Sequence, residues 1–236
     1  MADGDERPRV DGPHLPELPD VTDLTDLSEL SAGGFSSWLR GMEAALAGER
    51  DADVPCGTCT ACCTSSQFVH IGPEETDALA HIPAELLFPA PGLPRGHLLM
   101  GYDERGHCPM LVDERCTVYA HRPRTCRTYD CRVLIAAGVA ADDDQPRIAG
   151  QVARWRFDHP TATDRVEHDA VQRAGALLRE DTAGRDGGAP RATQLAVLAV
   201  EVHELFLTRD PATGAVAPAE PRVDEVRVEV RRRVAG

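Results

Sequence analysis

Apolar residues recur at three- and four-residue steps at Phe35, Trp38, Leu39, Met42 and Leu46, the single stripe of an amphipathic helix. Gly33-Gly34 separates it from a shorter helical segment that starts near Asp20, and Gly48 lies near its end. A second stripe runs through Val166, Ala170, Val171, Ala174, Leu177 and Leu178. Leu195 to Leu207 is apolar on most faces, which predicts a buried central helix, with a loop at Gly184 to Pro190 between the two. Pro73-Glu74-Glu75 opens a short helix reaching about His81. Leu98–Met100, Met110–Val112 and Thr117–Tyr119 are brief apolar runs divided by charged turns, the pattern of short strands. A further helix is expected from about Pro123, carrying Val133, Leu134 and Ile135 into the core. Asp142 to Asp144 stand where they would cap another helix or a strand through Trp155. In the tail, Val226, Val228 and Val230 alternate like a strand, while Val223, Val226 and Val230 fit a helix.

These elements predict a mainly α (α+β) protein: an irregular cysteine-rich metal-binding module with short strands, surrounded by helices. The expected division is an acidic, proline-rich leader at 1–20, one mainly helical domain over 21–210 that contains the module at 54–135, and a tail at 211–236. The chain of 236 residues has a net charge of −14 and every basic residue is arginine. That balance argues against a general nucleic-acid or anionic-membrane binder, because phosphate recognition needs a basic face. Nine acids against two arginines fall within the first thirty residues, whereas Val54 to Ile135 holds nine acids and seven arginines and is nearly neutral. The N-terminus shows no basic segment followed by an apolar one, and no apolar run is long enough to span a bilayer. A cytoplasmic location follows as the expectation, and there a dense set of cysteines signals metal or redox chemistry rather than disulfides.

All eight cysteines lie between Cys56 and Cys131. Cys56-Gly57-Thr58-Cys59-Thr60-Ala61-Cys62-Cys63 contains two overlapping C-x-x-C steps, so one loop of small residues can present Cys56, Cys59 and Cys62 together, with its amides free to bond to sulfur. Cys108, Cys116, Cys126 and Cys131 follow at gaps of seven, nine and four residues. None of these gaps supplies the second C-x-x-C of a zinc ribbon, and Cys108-Pro109 is like the remote ligand of ferredoxins. On one regular helix Cys126 and Cys131 would point about 140° apart, so either the helix starts after Cys126 or the two serve different sites. Adjacent Cys62 and Cys63 raise the same question. The count allows one four-thiolate site with spare thiols, two mononuclear sites, or a polynuclear cluster. Arg122, Arg124, Arg127 and Arg132 are near enough in sequence to compensate thiolate charge. His70, His107 and His121 could replace a thiol but are expected in surface or core roles; Tyr119 and Tyr129 are expected to pack around the site. His159, His168 and His203 belong to no HExxH-like pair and are read as structural.

The spaced elements His107-Cys108-Pro109-Met110-Leu111, Cys116-Thr117-Val118-Tyr119 and Arg122-Pro123-Arg124-Thr125-Cys126-Arg127, with the cluster 56–63 and Cys131, resemble the CxxCxxCC zinc- or iron-chelating family. That family is also called YkgJ-type cysteine cluster proteins. The resemblance covers roughly residues 54–135 and implies metal chelation by Cys56, Cys59, Cys62, Cys63, Cys108, Cys116, Cys126 and Cys131. Some relatives are described as flagellin lysine methylases, which brings in the possibility of an enzyme. The leading expectation is a cysteine-ligated metal-binding protein holding an iron–sulfur cluster or Zn2+/Fe, its partner being the ion or cluster. One alternative is a metal-centre-dependent enzyme, such as an S-adenosylmethionine-dependent protein-lysine methyltransferase, on a protein or small-molecule substrate. The other is a structural zinc module of an interaction protein. Neither nucleic acid nor membrane is an expected partner.

Overall fold

The computed structural model describes residues 28–52, 54–182 and 190–235. The expected leader, the helical segment before Leu30 and most of the 184–190 loop lie outside the described residues. Among the described residues helix exceeds strand, 47% to 14%, and the strands form small separate sheets, as a mainly α (α+β) chain requires.

Leu30–Gly34 (β1) leads directly into Phe35–Leu46 (α1). The Gly33-Gly34 break therefore joins a strand, rather than a helix, to α1. β1 pairs in parallel with Trp155–Asp158 (β7), Leu30 opposite Trp155. The α1 stripe is buried as its spacing demands: Phe35, Trp38, Leu39 and Met42 lie in the main core. Gly48 takes φ +77 just past α1 and donates to the Ala45 carbonyl, the left-handed exit that glycine favours.

A three-stranded antiparallel sheet follows, built from Val69–Ile71 (β2), Leu87–Pro89 (β3) and Leu98–Met100 (β4) in the order β2-β4-β3. Between β2 and β3 runs Thr76–His81 (α2), which begins three residues after Pro73 because Glu75 turns back to accept from the Gly72 amide. Leu111–Val112 (β5) and Arg115–Cys116 (β6) make a tight hairpin. Asp113 and Glu114 at its tip both have positive φ, so the hairpin ends early and Val118–His121 turns instead of continuing the strand expected at 117–119.

The single helix expected after Pro123 is two: Arg124–Thr128 (α3) and Arg132–Ala136 (α4). Asp130 sits at the break. Its carboxylate accepts from the Trp38 indole at 2.8 Å and from the Arg132 amide and guanidinium at 2.8–3.1 Å, all buried. Those bonds reward leaving the helical path, and α4 then carries Val133 and Leu134 into the core. Pro146–Arg154 (α5) delivers β7, and Ala162–Thr182 (α6) and Ala192–Val202 (α7) supply the buried stripes read from the sequence. Asp142 caps α7, accepting from the Ala192 amide at 3.1 Å, and shares Arg191 with Asp144. A 3-10 turn, His203–Phe206, ends α7; Leu207–Arg209 (β8) pairs with Val216–Pro218 (β9); Val223–Ala235 (α8) is helical, with Val226 fully buried.

The result is two apolar cores. The larger joins α1, α4, α6 and α7; the smaller gathers Val69, Ile71, Met100, Met110 and Val118 around the β2-β4-β3 sheet. The cysteine cluster lies where they meet.

Candidate metal centre

A cavity of about 660 Å³ opens between the cores, and all eight cysteines line it. Five short segments bring them there. Cys56 and Cys59 lie on a turn closed by the Cys59 amide on the Cys56 carbonyl at 2.8 Å, with Gly57 at φ +55. Ala61 turns its amide toward Cys59 Sγ at 3.5 Å. Cys62 and Cys63 start a 3-10 turn that Ser65 ties back to the Ala61 carbonyl at 2.6 Å. The Cys108 amide donates to the Cys63 carbonyl at 2.7 Å, so the second group of cysteines is stitched directly to the first loop. Gly106, at φ +78, permits the turn before Cys108; a Cβ there would clash with Ser66 Oγ. Cys116 is on β6, and Cys126 is on α3, which Thr125 fastens to the His70 carbonyl at 2.8 Å.

Cys131 belongs to the other side. It packs against the larger core with Tyr129 and Ala61, whereas Cys108, Cys116 and Cys126 pack against the smaller. The mutual influence of the thiols divides them in the same way. Cys131 is affected by Cys56 and Cys59. Cys63 is affected by Cys108 and Cys126, and Cys126 by Cys108 and Cys116. Cys62 acts on members of both sets, from Cys56 and Cys59 to Cys108 and Cys126. The break between the two α-helical segments thus sends Cys126 and Cys131 to different sets, whereas adjacent Cys62 and Cys63 stay close enough for a hydrogen bond between their thiols.

Thiolate formation in this crowd is opposed. Burial, then Cys62 and Cys59, push the Cys56 thiol up to about 11. Burial pushes Cys126 and Cys131 up to about 12, and raises Cys59 and Cys108 as well. Cys62 is the exception. The hydrogen bond from Cys63 holds it down at about 7 and correspondingly drives Cys63 up. A bound metal ion would displace those protons and supply the missing positive charge, so this donor set suits a soft-ligand metal. Of the four arginines near the last cysteines, Arg122 lines the cavity and eases ionisation of Cys62 and Cys126, its guanidinium stacked 3.7 Å from the Tyr119 ring centre. Arg132 is committed to Asp130, Arg127 to Asp51, and the Arg124 backbone amide to Glu75.

His70 pairs with His97 at 2.9 Å, and His121 with Asp77 at 2.9 Å, so both are engaged away from the thiols. Tyr129 lines the cavity with its hydroxyl buried, and that burial pushes its phenol up. Trp155 escapes sequence reasoning altogether. It is 1% exposed and donates its indole N–H to Cys131 Sγ at 3.4 Å. Nothing in its spacing announces this, because β1–β7 pairing, rather than any motif, sets its position.

Residues 55–145 match the model of the CxxCxxCC family, described as "Putative zinc- or iron-chelating domain". The match supports a zinc- or iron-chelating role for this segment. No curated protein and no solved structure matches the chain. No helix among the described residues is long and apolar enough to cross a membrane.

Proposed function

We propose that the eight cysteines together hold a polynuclear thiolate-ligated metal centre, with iron–sulfur chemistry preferred over a lone zinc ion. The observation that carries this reading is the convergence of every cysteine in the chain on one cavity. Spacing supports the polynuclear form. Tetrahedral zinc with bonds of about 2.3 Å sets its sulfurs about 3.8 Å apart, while no three thiols among the described residues lie within 4.8 Å of one another. Cys62, between the two sets, is the natural bridge or shared ligand.

An iron–sulfur group would supply electron transfer, or an open iron site for a substrate; zinc would supply structural closure or Lewis acidity. The chain's own groups do the rest. Ala61 and Trp155 aim N–H donors at Cys59 and Cys131, and Arg122 offsets thiolate charge beside Cys62 and Cys126. Such thiols stay reduced in a cytoplasmic setting, which this reading favours.

Anaerobic purification followed by metal analysis and visible absorption tests the proposal. Coloured protein with stoichiometric iron is expected. Colourless protein with stoichiometric zinc would replace the cluster by a structural zinc module, and colourless protein with neither metal would refute metal binding.

A second reading is an enzyme whose metal centre faces a bound substrate. It is favoured by the cavity itself, which at about 660 Å³ falls within the size of small-molecule pockets and is lined also by Phe68, Met100 and Tyr129. For a methyl-transfer enzyme of the YkgJ type, the metal-loaded protein would bind S-adenosylmethionine and the Cys59→Ala variant would not.

A further inference from the structure

The helical half carries a second group of ligand-type side chains, far in sequence from the cysteines. Glu43 projects from α1, and His203 and Glu204 open the turn after α7; one donor atom from each lies within 4.8 Å of the others. His203 is 1% exposed. Its Nδ1 stands 2.6 Å from the Val200 carbonyl oxygen. A carbonyl only accepts, so Nδ1 carries a proton and Nε2 is the ring nitrogen left to face the carboxylates. That nitrogen is buried and makes no hydrogen bond; the carboxylate oxygens of Glu204 and Glu43 stand 3.4 and 3.9 Å from it. All three residues border a separate cavity of about 290 Å³.

The arrangement sets Nε2 face to face with two carboxylates, and the donor on the Glu204 oxygen nearest to it is the Arg209 guanidinium at 2.6 Å. Formal charge still leaves room for a cation. Arg209 holds Glu204 at 2.6 Å and Glu167 at 3.2 Å, so three carboxylates counting Glu43 share one guanidinium and two negative charges remain. Glu167 Oε2 is itself buried without a hydrogen bond. Glu229 and Arg233 at the cavity rim satisfy each other at 2.8 Å. A histidine anchored through Nδ1–H on a backbone carbonyl, with Nε2 free, is the arrangement metal-ligating histidines adopt. A cation held by bonds of about 2.1 Å at the tetrahedral angle separates nitrogen from oxygen by about 3.4 Å, which matches the His203–Glu204 spacing.

We propose that Glu43, His203 and Glu204 form a site for one divalent first-row cation, bound through imidazole nitrogen and carboxylate oxygen and independent of the thiol centre. Nitrogen and oxygen donors of this kind select Mn2+, Fe2+ or Zn2+ over softer ions. Coupling to the cysteine centre is not required, so the two proposals stand or fall separately.

Mn2+ is the discriminating probe, because it avoids thiolates. The full chain, with its cysteine centre as isolated, is titrated anaerobically while the electron paramagnetic resonance of free Mn2+ is followed. One bound Mn2+ per chain is expected, with affinity at least tenfold weaker in Glu43→Gln and in His203→Gln and unchanged in Glu85→Gln, an exposed carboxylate of neither site. Glu43 is half-exposed, so its variant tests the site even where loss of the buried His203 prevents folding. No Mn2+ bound at millimolar concentration, undiminished binding in Glu43→Gln, or equal loss of binding in Glu85→Gln would overturn the proposal; the first of these leaves a proton on His203 as the cation between the carboxylates.

Discussion

Trp155 Nε1 donates to Cys131 Sγ across 3.4 Å, tying the last cysteine of the cluster to a strand that begins outside the matched domain. The parallel pairing of β7 with β1 fixes the indole, since Leu30 lies opposite Trp155 and the strand is continuous with α1. The bond lowers the cost of charge on a thiol that burial still pushes up to about 12. The helical frame therefore participates in the centre as well as enclosing it.

Trp155→Phe keeps most of the ring packing and deletes the donor. Loss of such an outer hydrogen bond costs about 10- to 100-fold in metal affinity. Competition with a chelator should show that loss, with a change in unfolding free energy of only about 1 kcal/mol.

Asp130 and Arg132 form a buried pair at 2.8 Å, with side chains 2% and 8% exposed. Asp130→Ala leaves a guanidinium without its partner carboxylate and also strips the acceptor from Trp38. A destabilisation of about 3–5 kcal/mol is expected from denaturant unfolding of the metal-loaded protein. Asp130→Asn keeps the indole's acceptor and should cost less.

Asp164 serves two helix ends at once. It completes a capping box with Thr161 at the start of α6, and it accepts from the Ser36 amide in the first turn of α1 at 2.9 Å. Asp164→Ala should destabilise by about 1–2 kcal/mol at neutral pH. These bonds hold its carboxyl well below the ordinary 3.8. A depressed acid stabilises the fold above its unfolded pKa and loses that contribution as pH falls, so the gap between wild type and variant should narrow below about pH 4.

His168 acts in a different window. Burial, then neighbouring His159, push it down from 6.5 to about 4, and its ring stacks on Phe35 with centroids 4.1 Å apart. The unfolded chain takes up this proton first, so stability should decline as pH drops from 6.5 toward 4. Unfolding midpoints measured across that range should fall less steeply in His168→Gln.

Much of the frame was legible in the sequence because its physics is local. The α1, α6 and α7 stripes follow from a 3.6-residue period, and the short strands at Leu98–Met100 and Leu111–Val112 from brief apolar runs between turns. The tail that fitted both periods is helical, settled by burial of Val226. Non-local bonds decided what local pattern could not. Asp130 breaks the helix expected after Pro123 through Trp38 and Arg132, and the partner that makes Leu30–Gly34 a strand is more than a hundred residues away. The cysteine motif displayed the candidate ligands in full. The angular conflict of Cys126 and Cys131 on one regular helix is relieved by the break at Asp130, while Trp155 and the Glu43–His203–Glu204 group carry no motif that a linear pattern could reveal.

The central claim is that sulfur, supplied by both sets of thiols, surrounds the metal. X-ray absorption fine structure at the zinc or iron edge of anaerobically purified protein tests it most directly. A first shell dominated by sulfur at about 2.3 Å is expected, with a metal–metal distance also resolved, and with Cys126→Ser and Cys131→Ser each removing part of the sulfur. A first shell dominated by nitrogen and oxygen, unchanged in both variants, would contradict it.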